Sequence, residues 1–255
     1  MPRVSIASID KAARIAPPAG VVGDVTTSAV FDHDYNAIHL FAHRLGANAA
    51  LRFAGTPTDC LIYVWDGEID AGGRRLPARS SAIVEYGASL EVTTSATPAT
   101  VLEFRMRQRG VDERAGGCVH LLPDERVPRI RTAQEKPVGM SLHADSQCPT
   151  CKVWLHENDY FGPDEETAVH SHTEDEVIFV RAGAVRLGRR LYGPGTALQI
   201  KANTLYGFSS GPEGLSFVNF RGTSPTYRSA DGSVVLDEAE LWRTYVGKPS
   251  YLEPC

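Results

Sequence analysis

The sequence predicts an all-β protein: two copies of one small barrel or sandwich in tandem, followed by a short C-terminal helix. Three observations carry this. Apolar blocks recur in the same order about 116 residues apart. The 23 glycines and 16 prolines make up about 15% of the 255 residues, above the ~12% of average usage and without any period. Short apolar runs sit between clusters of turn residues, the pattern of many short strands rather than of long helices. At roughly 100–200 residues per domain the length allows one large or two small domains, and the repeat selects two.

Residues 1–35 form an N-terminal extension ahead of the first copy, which spans 36–106. There, Leu61-Ile62-Tyr63-Val64-Trp65-Asp66-Gly67 matches Val177-Ile178-Phe179-Val180-Arg181-Ala182-Gly183 at an offset of 116. Dropping one residue after Gly72 sets Arg74-Arg75-Leu76 on Arg189-Arg190-Leu191, Ala82 on Ala197 and Leu90 on Leu205. Val101-Leu102-Glu103-Phe104-Arg105 then meets Phe217-Val218-Asn219-Phe220-Arg221, back at 116. Residues 107–146, with Gly116-Gly117 and prolines 123, 128 and 137, have no sustained period and are expected to be a connector. The second copy spans 147–221. In the tail, 222–255, Asp237 followed by Glu240 opens a stretch with apolar residues at 241, 242, 245 and 246, which predicts a capped helix covering a barrel edge.

A charge balance of 26 basic to 31 acidic residues, net −5, argues against a phosphate-tracking nucleic-acid binder. The N-terminus lacks the apolar stretch of a secretory signal, and no window approaches a membrane span. The expectation is a cytoplasmic protein acting on a small molecule, with no nucleic-acid or membrane partner. Five cysteines, few and odd in number, are expected to be reduced thiols rather than a disulfide framework.

The most informative stretch is His170-Ser171-His172-Thr173-Glu174-Asp175-Glu176, which runs into an apolar strand. On an extended chain residues 170, 172, 174 and 176 share a face, so two imidazoles and a carboxylate can converge. Neutral imidazole plus carboxylate is the ligand set of iron(II), manganese, nickel, cobalt or zinc. Glu174 has the same parity as Glu176 and is a candidate substitute ligand. Trp154 and His156 alternate along the preceding strand, which makes His156 a candidate to contact substrate or to orient a ligand. Cys148-Pro149-Thr150-Cys151 supplies two thiolates at chelating distance; Cys118 and His120 are candidates to complete a zinc set, set against a local disulfide or ordinary thiols.

These residues resemble the cupin superfamily. His170, His172, Glu176 and Gly183 fit its first motif, HxH, three residues, E, six residues, G, without a gap. The second motif, G, five residues, PxG, two residues, H, is matched only by Gly195; Lys201, Asn203 and Tyr206 replace its proline, glycine and metal-binding histidine. The resemblance, over roughly 36–221, implies a bicupin: two tandem cupin-type β-barrels (double-stranded β-helix or jelly roll). It further implies one divalent transition metal, iron(II) favoured, held by His170, His172, Glu176 and Tyr206, and a homodimer. The positions in the first copy that answer to the first motif are Ala54, Thr56 and Cys60, and Glu91 answers to Tyr206, so that barrel is expected to have lost its metal.

Tyr206 either coordinates as a phenolate, hydrogen-bonds a metal-bound water, or stands off and leaves a two-His, one-carboxylate set. As a general acid or base it needs a lowered pKa. Open metal positions lead to a dioxygenase acting on a small oxygenated organic molecule. Two other classes remain beside it: a non-redox isomerase, lyase or decarboxylase, and a ligand-binding cupin without turnover.

Overall fold

The computed structural model describes residues 3–18, 20–108, 116–131 and 139–252. The chain divides into two compact units. The N-terminal unit comprises Lys11–Val127 with Cys148–Cys151 and Ser250–Cys255; the C-terminal unit comprises Pro128–Gln147 and Lys152–Pro249 with Met1–Asp10. Both are antiparallel β structures of the cupin type.

In the N-terminal unit one sheet runs, in spatial order, Val119–Leu122, Ser81–Val84, Cys60–Asp66, Ala99–Met106, Ile38–Leu45, Val25–Phe31 and Ala13–Ile15. Its second sheet is Ala50–Ala54, Ser89–Thr93, Glu68–Ala71 and Arg74–Pro77. In the C-terminal unit the large sheet runs Val4–Ser8, Thr196–Ile200, Glu176–Leu187, Ser209–Arg221, Trp154–Phe161, Gly139–Asp145 and Arg129–Arg131, with Arg190–Tyr192 paired to Glu176–Leu187. The small sheet is His170–His172, Thr226–Ser229 and Val235–Asp237.

Two expectations about organisation meet different facts. The first described strand, Val4–Ser8, belongs to the C-terminal unit, where it pairs with Thr196–Ile200. The expected connector holds Val119–Leu122 in one unit and Arg129–Arg131 and Gly139–Asp145 in the other, while 109–115 and 132–138 lie outside the described residues. Strand partners distant in sequence decide these assignments, and local composition carries no trace of them.

Strand pairing sharpens the repeat. Cys60 faces Arg105 and Val84, and Glu176 faces Arg221 and Ile200, so each residue lies 116 from its counterpart. The hairpins obey the same offset: Ala71 pairs Arg74, and Leu187 pairs Arg190. The one-residue gap is therefore absent. Arg74 answers to Arg190 and Ala82 to Leu198; the doubled arginines had drawn the alignment one position off. Leu90 is buried whereas Leu205 is 56% exposed, so that match is not structural either.

Gly67 and Gly183, also 116 apart, share a left-handed backbone at φ +77° and +67°. A Cβ on Gly67 would collide with the Pro98 carbonyl and one on Gly183 with the Gly214 carbonyl, so only glycine fits where the two strands approach. The last glycine of the HxH motif is thus a backbone requirement of both copies.

The helix Glu238–Tyr245 begins as expected, with the Asp237 carboxylate accepting from Glu240 N. Its Ala239 and Trp242 pack with Leu142 and Trp154, all buried. Among the described residues no helix is long and apolar enough to cross a membrane.

Candidate functional site

In the C-terminal barrel, alternation along Ser209–Arg221 sends Phe217, Asn219 and Arg221 to one side, where they line a cavity of about 200 Å3. His156, Asn158, His170, His172 and Tyr206 line it as well, and the terminal helix adds Glu238 and Trp242. The structure therefore brings His170, His172, Tyr206 and His156 to one cavity, and places Glu176 against it through Arg221.

Arg221 is the residue that sequence reasoning missed. It is only 1% exposed, and one Nη2 donates to Glu176 Oε2 at 2.7 Å and lies 3.0 Å from His172 Nε2. Its Nη1 stands 3.2 Å from Glu238 Oε2. A guanidinium is donor only, so His172 Nε2 is the accepting, unprotonated nitrogen. Burial and the adjacent Arg221 push the His172 pKa down to about 3, so the ring is neutral. Glu176 also accepts from Asn219 Nδ2 at 2.8 Å and from Tyr206. Burial alone would raise its pKa, but the charge of Arg221 and these bonds hold it below the ordinary value, and it is a carboxylate.

This arrangement does not fit a divalent metal. The single lone pair of neutral His172 is spent on Arg221, and the Glu176 carboxylate is engaged by Arg221, Asn219 and Tyr206. His170 has Nδ1 2.7 Å from the Ala168 carbonyl, leaving only its Nε2 lone pair. A fixed positive charge stands where the metal's charge is needed; at about 3 Å, a dication would be repelled by roughly 10 kcal/mol even at an effective dielectric of about 20. Burial and the Glu176 charge push the Tyr206 pKa well above 10. Tyr206 donates to the Glu176 carboxylate.

His156 shares a face with Trp154, as expected. Its Nδ1 accepts from Trp154 Nε1 at 2.9 Å, and its ring lies 4.3 Å from that of Trp242. Burial, with Arg221 adding to it, keeps it neutral. Glu174 turns away to accept from Thr226 N and from Thr173 Oγ1.

Glu238 is the second missed residue. Burial pushes its pKa up; Arg221 opposes this, and the charges of Glu176 and Glu174 add to it. Its Oε2 forms an ion pair with Arg221 Nη1 at 3.2 Å, while Arg221 Nε and Asn219 Oδ1 lack a hydrogen-bond partner. A signal for Arg221 was present: Phe217, Asn219 and Arg221 alternate with Val218 and Phe220 in an apolar strand, and a polar pair on one face of such a strand faces something specific.

The N-terminal barrel holds its own cavity of about 260 Å3, lined by Thr27, Phe41, His43, Phe53, Glu103 and Arg105 among others. His43 lies 2.9 Å from Thr27 Oγ1 and 3.0 Å from Glu103 Oε2, so its Nε2–H tautomer satisfies both ring nitrogens. Among the described residues, one group of potential ligands has all its donor atoms within 4.8 Å of one another: Glu85, His120, Cys148 and Cys151. This is a candidate metal site, and it lies in the unit that lacks the HxH motif.

No family model matches the sequence, and no curated protein matches it. Solved structures match the fold. Protein Ylba from E. coli superposes with a TM-score of 0.68 at 12% identity, covering 86% of this chain and 90% of that one. An oxalate decarboxylase from Bacillus subtilis gives 0.65 at 11%, covering 89% and 79%. A candidate dioxygenase from Nostoc punctiforme gives 0.61 at 12%, covering 93% and 87%.

Proposed function

We propose that the C-terminal barrel binds a small oxygenated organic acid and moves a proton on it without redox chemistry, with Arg221 taking the electrostatic role of a metal. The observation that carries this reading is the Arg221 guanidinium, buried between Glu176 and His172 in the cavity. Its Nε lacks a hydrogen-bond partner and suits a carboxylate or carbonyl oxygen. Fixed donors of this kind stabilise charge that develops on an enolate or enediolate. Glu238, with its raised pKa, is the group placed to give or take the proton. Tyr206 and His156 act here as positioning residues. The cavity is smaller than the ~300–1,000 Å3 of most ligand pockets, which favours a compact substrate. The N-terminal barrel is the degenerate copy, with Ala54, Thr56 and Cys60 at the motif positions.

A second reading has its own support. His170, His172, Glu176 and Gly183 keep the HxH motif, and the fold is shared with a candidate dioxygenase and with oxalate decarboxylases. In that reading Arg221 swings away, iron(II) enters, and the protein is a dioxygenase.

A panel of hydroxy, keto and dicarboxylic acids separates the two. The proposal expects a ligand that raises the melting temperature, is converted in the presence of a chelator, and consumes no oxygen. At 100 times its Kd such a ligand adds about 2.7 kcal/mol of stability. Turnover that needs added iron(II) and oxygen establishes the second reading. Binding with no conversion reduces the barrel to a ligand-binding module.

A further inference from the structure

We propose that Glu85, His120, Cys148 and Cys151 bind a structural zinc ion in the N-terminal unit. All four belong to that unit, although Cys148–Cys151 reach it from a stretch of chain whose flanks, up to Gln147 and from Lys152, belong to the other. His120 sits on the strand Val119–Leu122 and Glu85 directly follows the strand Ser81–Val84, so paired strands supply two ligands; the CxxC segment supplies the others.

The spacing is that of a tetrahedral shell. With arms of about 2.3 Å to sulfur and 2.0–2.1 Å to nitrogen or oxygen, the edges of the tetrahedron are roughly 3.5 Å. Cys148 Sγ stands 3.3 Å from Glu85 Oε1 and 3.9 Å from His120 Nε2. His120 Nε2 and Glu85 Oε1, now 2.7 Å apart, need only a small separation to admit the ion between them. Neither Cys148 nor Cys151 is in a disulfide, and Cys151 is buried. Cys118, the sequence candidate for this set, is instead disulfide-bonded, against the expectation of reduced thiols throughout; its backbone N–H lies 3.4 Å from Glu85 Oε2.

Further contacts hold the carboxylate in place. Thr150 Oγ1 donates to Glu85 Oε1 at 2.8 Å. Gly116 abuts the same carboxylate so closely that any Cβ there would collide with it. Two thiolates, an imidazole and a carboxylate match zinc in softness and number, and four protein ligands leave no open position, which is the signature of a structural site. Binding displaces the two thiol protons to solvent, and the ion fastens the 148–151 segment and the 119–122 strand to one point of the barrel.

The test is elemental analysis and native mass spectrometry of the full chain, purified without chelator or metal-affinity resin. The proposal expects one zinc per chain in the wild type and in His170→Ala/His172→Ala, and none in Cys148→Ser/Cys151→Ser. Should the cysteine variant not fold, cobalt(II) added to zinc-stripped wild type gives the thiolate-to-cobalt absorption band that two Cys ligands produce. Metal-free wild type without that band overturns the proposal, as does a Cys148–Cys151 disulfide in freshly prepared protein. Zinc lost with the histidines but kept without the cysteines also overturns it, and assigns the metal to the other barrel.

Discussion

Arg221 is the residue on which the C-terminal site turns, and the prediction it carries is one of stability as well as function. It neutralises the buried Glu176, so Arg221→Met leaves an uncompensated carboxylate and is expected to cost about 3–5 kcal/mol. The double variant Arg221→Met/Glu176→Met removes both charges and is expected to recover most of that loss, as read from urea midpoints. A double variant no more stable than the single one contradicts the pairing. In the other barrel Glu103 carries a pH prediction. Burial pushes its carboxyl up, but the His43 hydrogen bond and the charge of Arg105 outweigh it and bring the folded pKa below 4.5. A carboxylate with a depressed folded pKa stabilises the fold above its unfolded value and loses that contribution as pH falls through the folded one. Stability is expected to decline below about pH 4.5, and less steeply in Glu103→Gln; parallel acid curves for the two proteins would count against the assignment. Sequence reasoning reached His170, His172, Glu176 and Tyr206 because motif spacing is local. It missed Arg221 and Glu238 because an arginine closing a strand and a glutamate opening a helix both resemble surface residues until the fold buries them.

At the level of elements, the glycine turns are the sharpest test of the repeat. Gly67→Ala and Gly183→Ala each force a left-handed residue to carry a Cβ against a carbonyl, and each is expected to destabilise by at least about 1–3 kcal/mol. If either is tolerated within a few tenths of a kcal/mol, the close strand approach is wrong. The terminal helix was legible in full, since the Asp237 cap and the apolar positions are local signals. Its role was not, because a helix that closes a barrel edge and one that supplies Glu238 and Trp242 to a cavity have the same pattern. Trp242→Ala, which removes a buried ring from Trp154 and His156, is expected to cost about 3–5 kcal/mol by thermal unfolding. The gap in the repeat was an error of local matching: Arg74-Arg75-Leu76 fits Arg189-Arg190-Leu191 by composition, and only the hairpin pairing shows that Arg74 answers to Arg190.

Across the whole chain, the two units share strand pairings at an offset of 116 and differ in the side chains those strands carry. The C-terminal barrel keeps the HxH motif and fills its centre with a guanidinium. The N-terminal barrel has Ala54, Thr56 and Cys60 at the corresponding positions, and its unit gathers Glu85, His120, Cys148 and Cys151 from separate stretches of chain. Spacing along a strand reports which side chains share a face, whereas a buried cation contributed by another strand, here Arg221, decides which of their lone pairs are already engaged. With Arg221 held by His172 and Glu176, the C-terminal site is expected to carry no metal. Elemental analysis of wild type and His170→Ala/His172→Ala, grown and purified side by side without chelator, is predicted to give equal metal per chain. Loss of one equivalent of transition metal in the histidine variant would instead place a metal on His170 and His172.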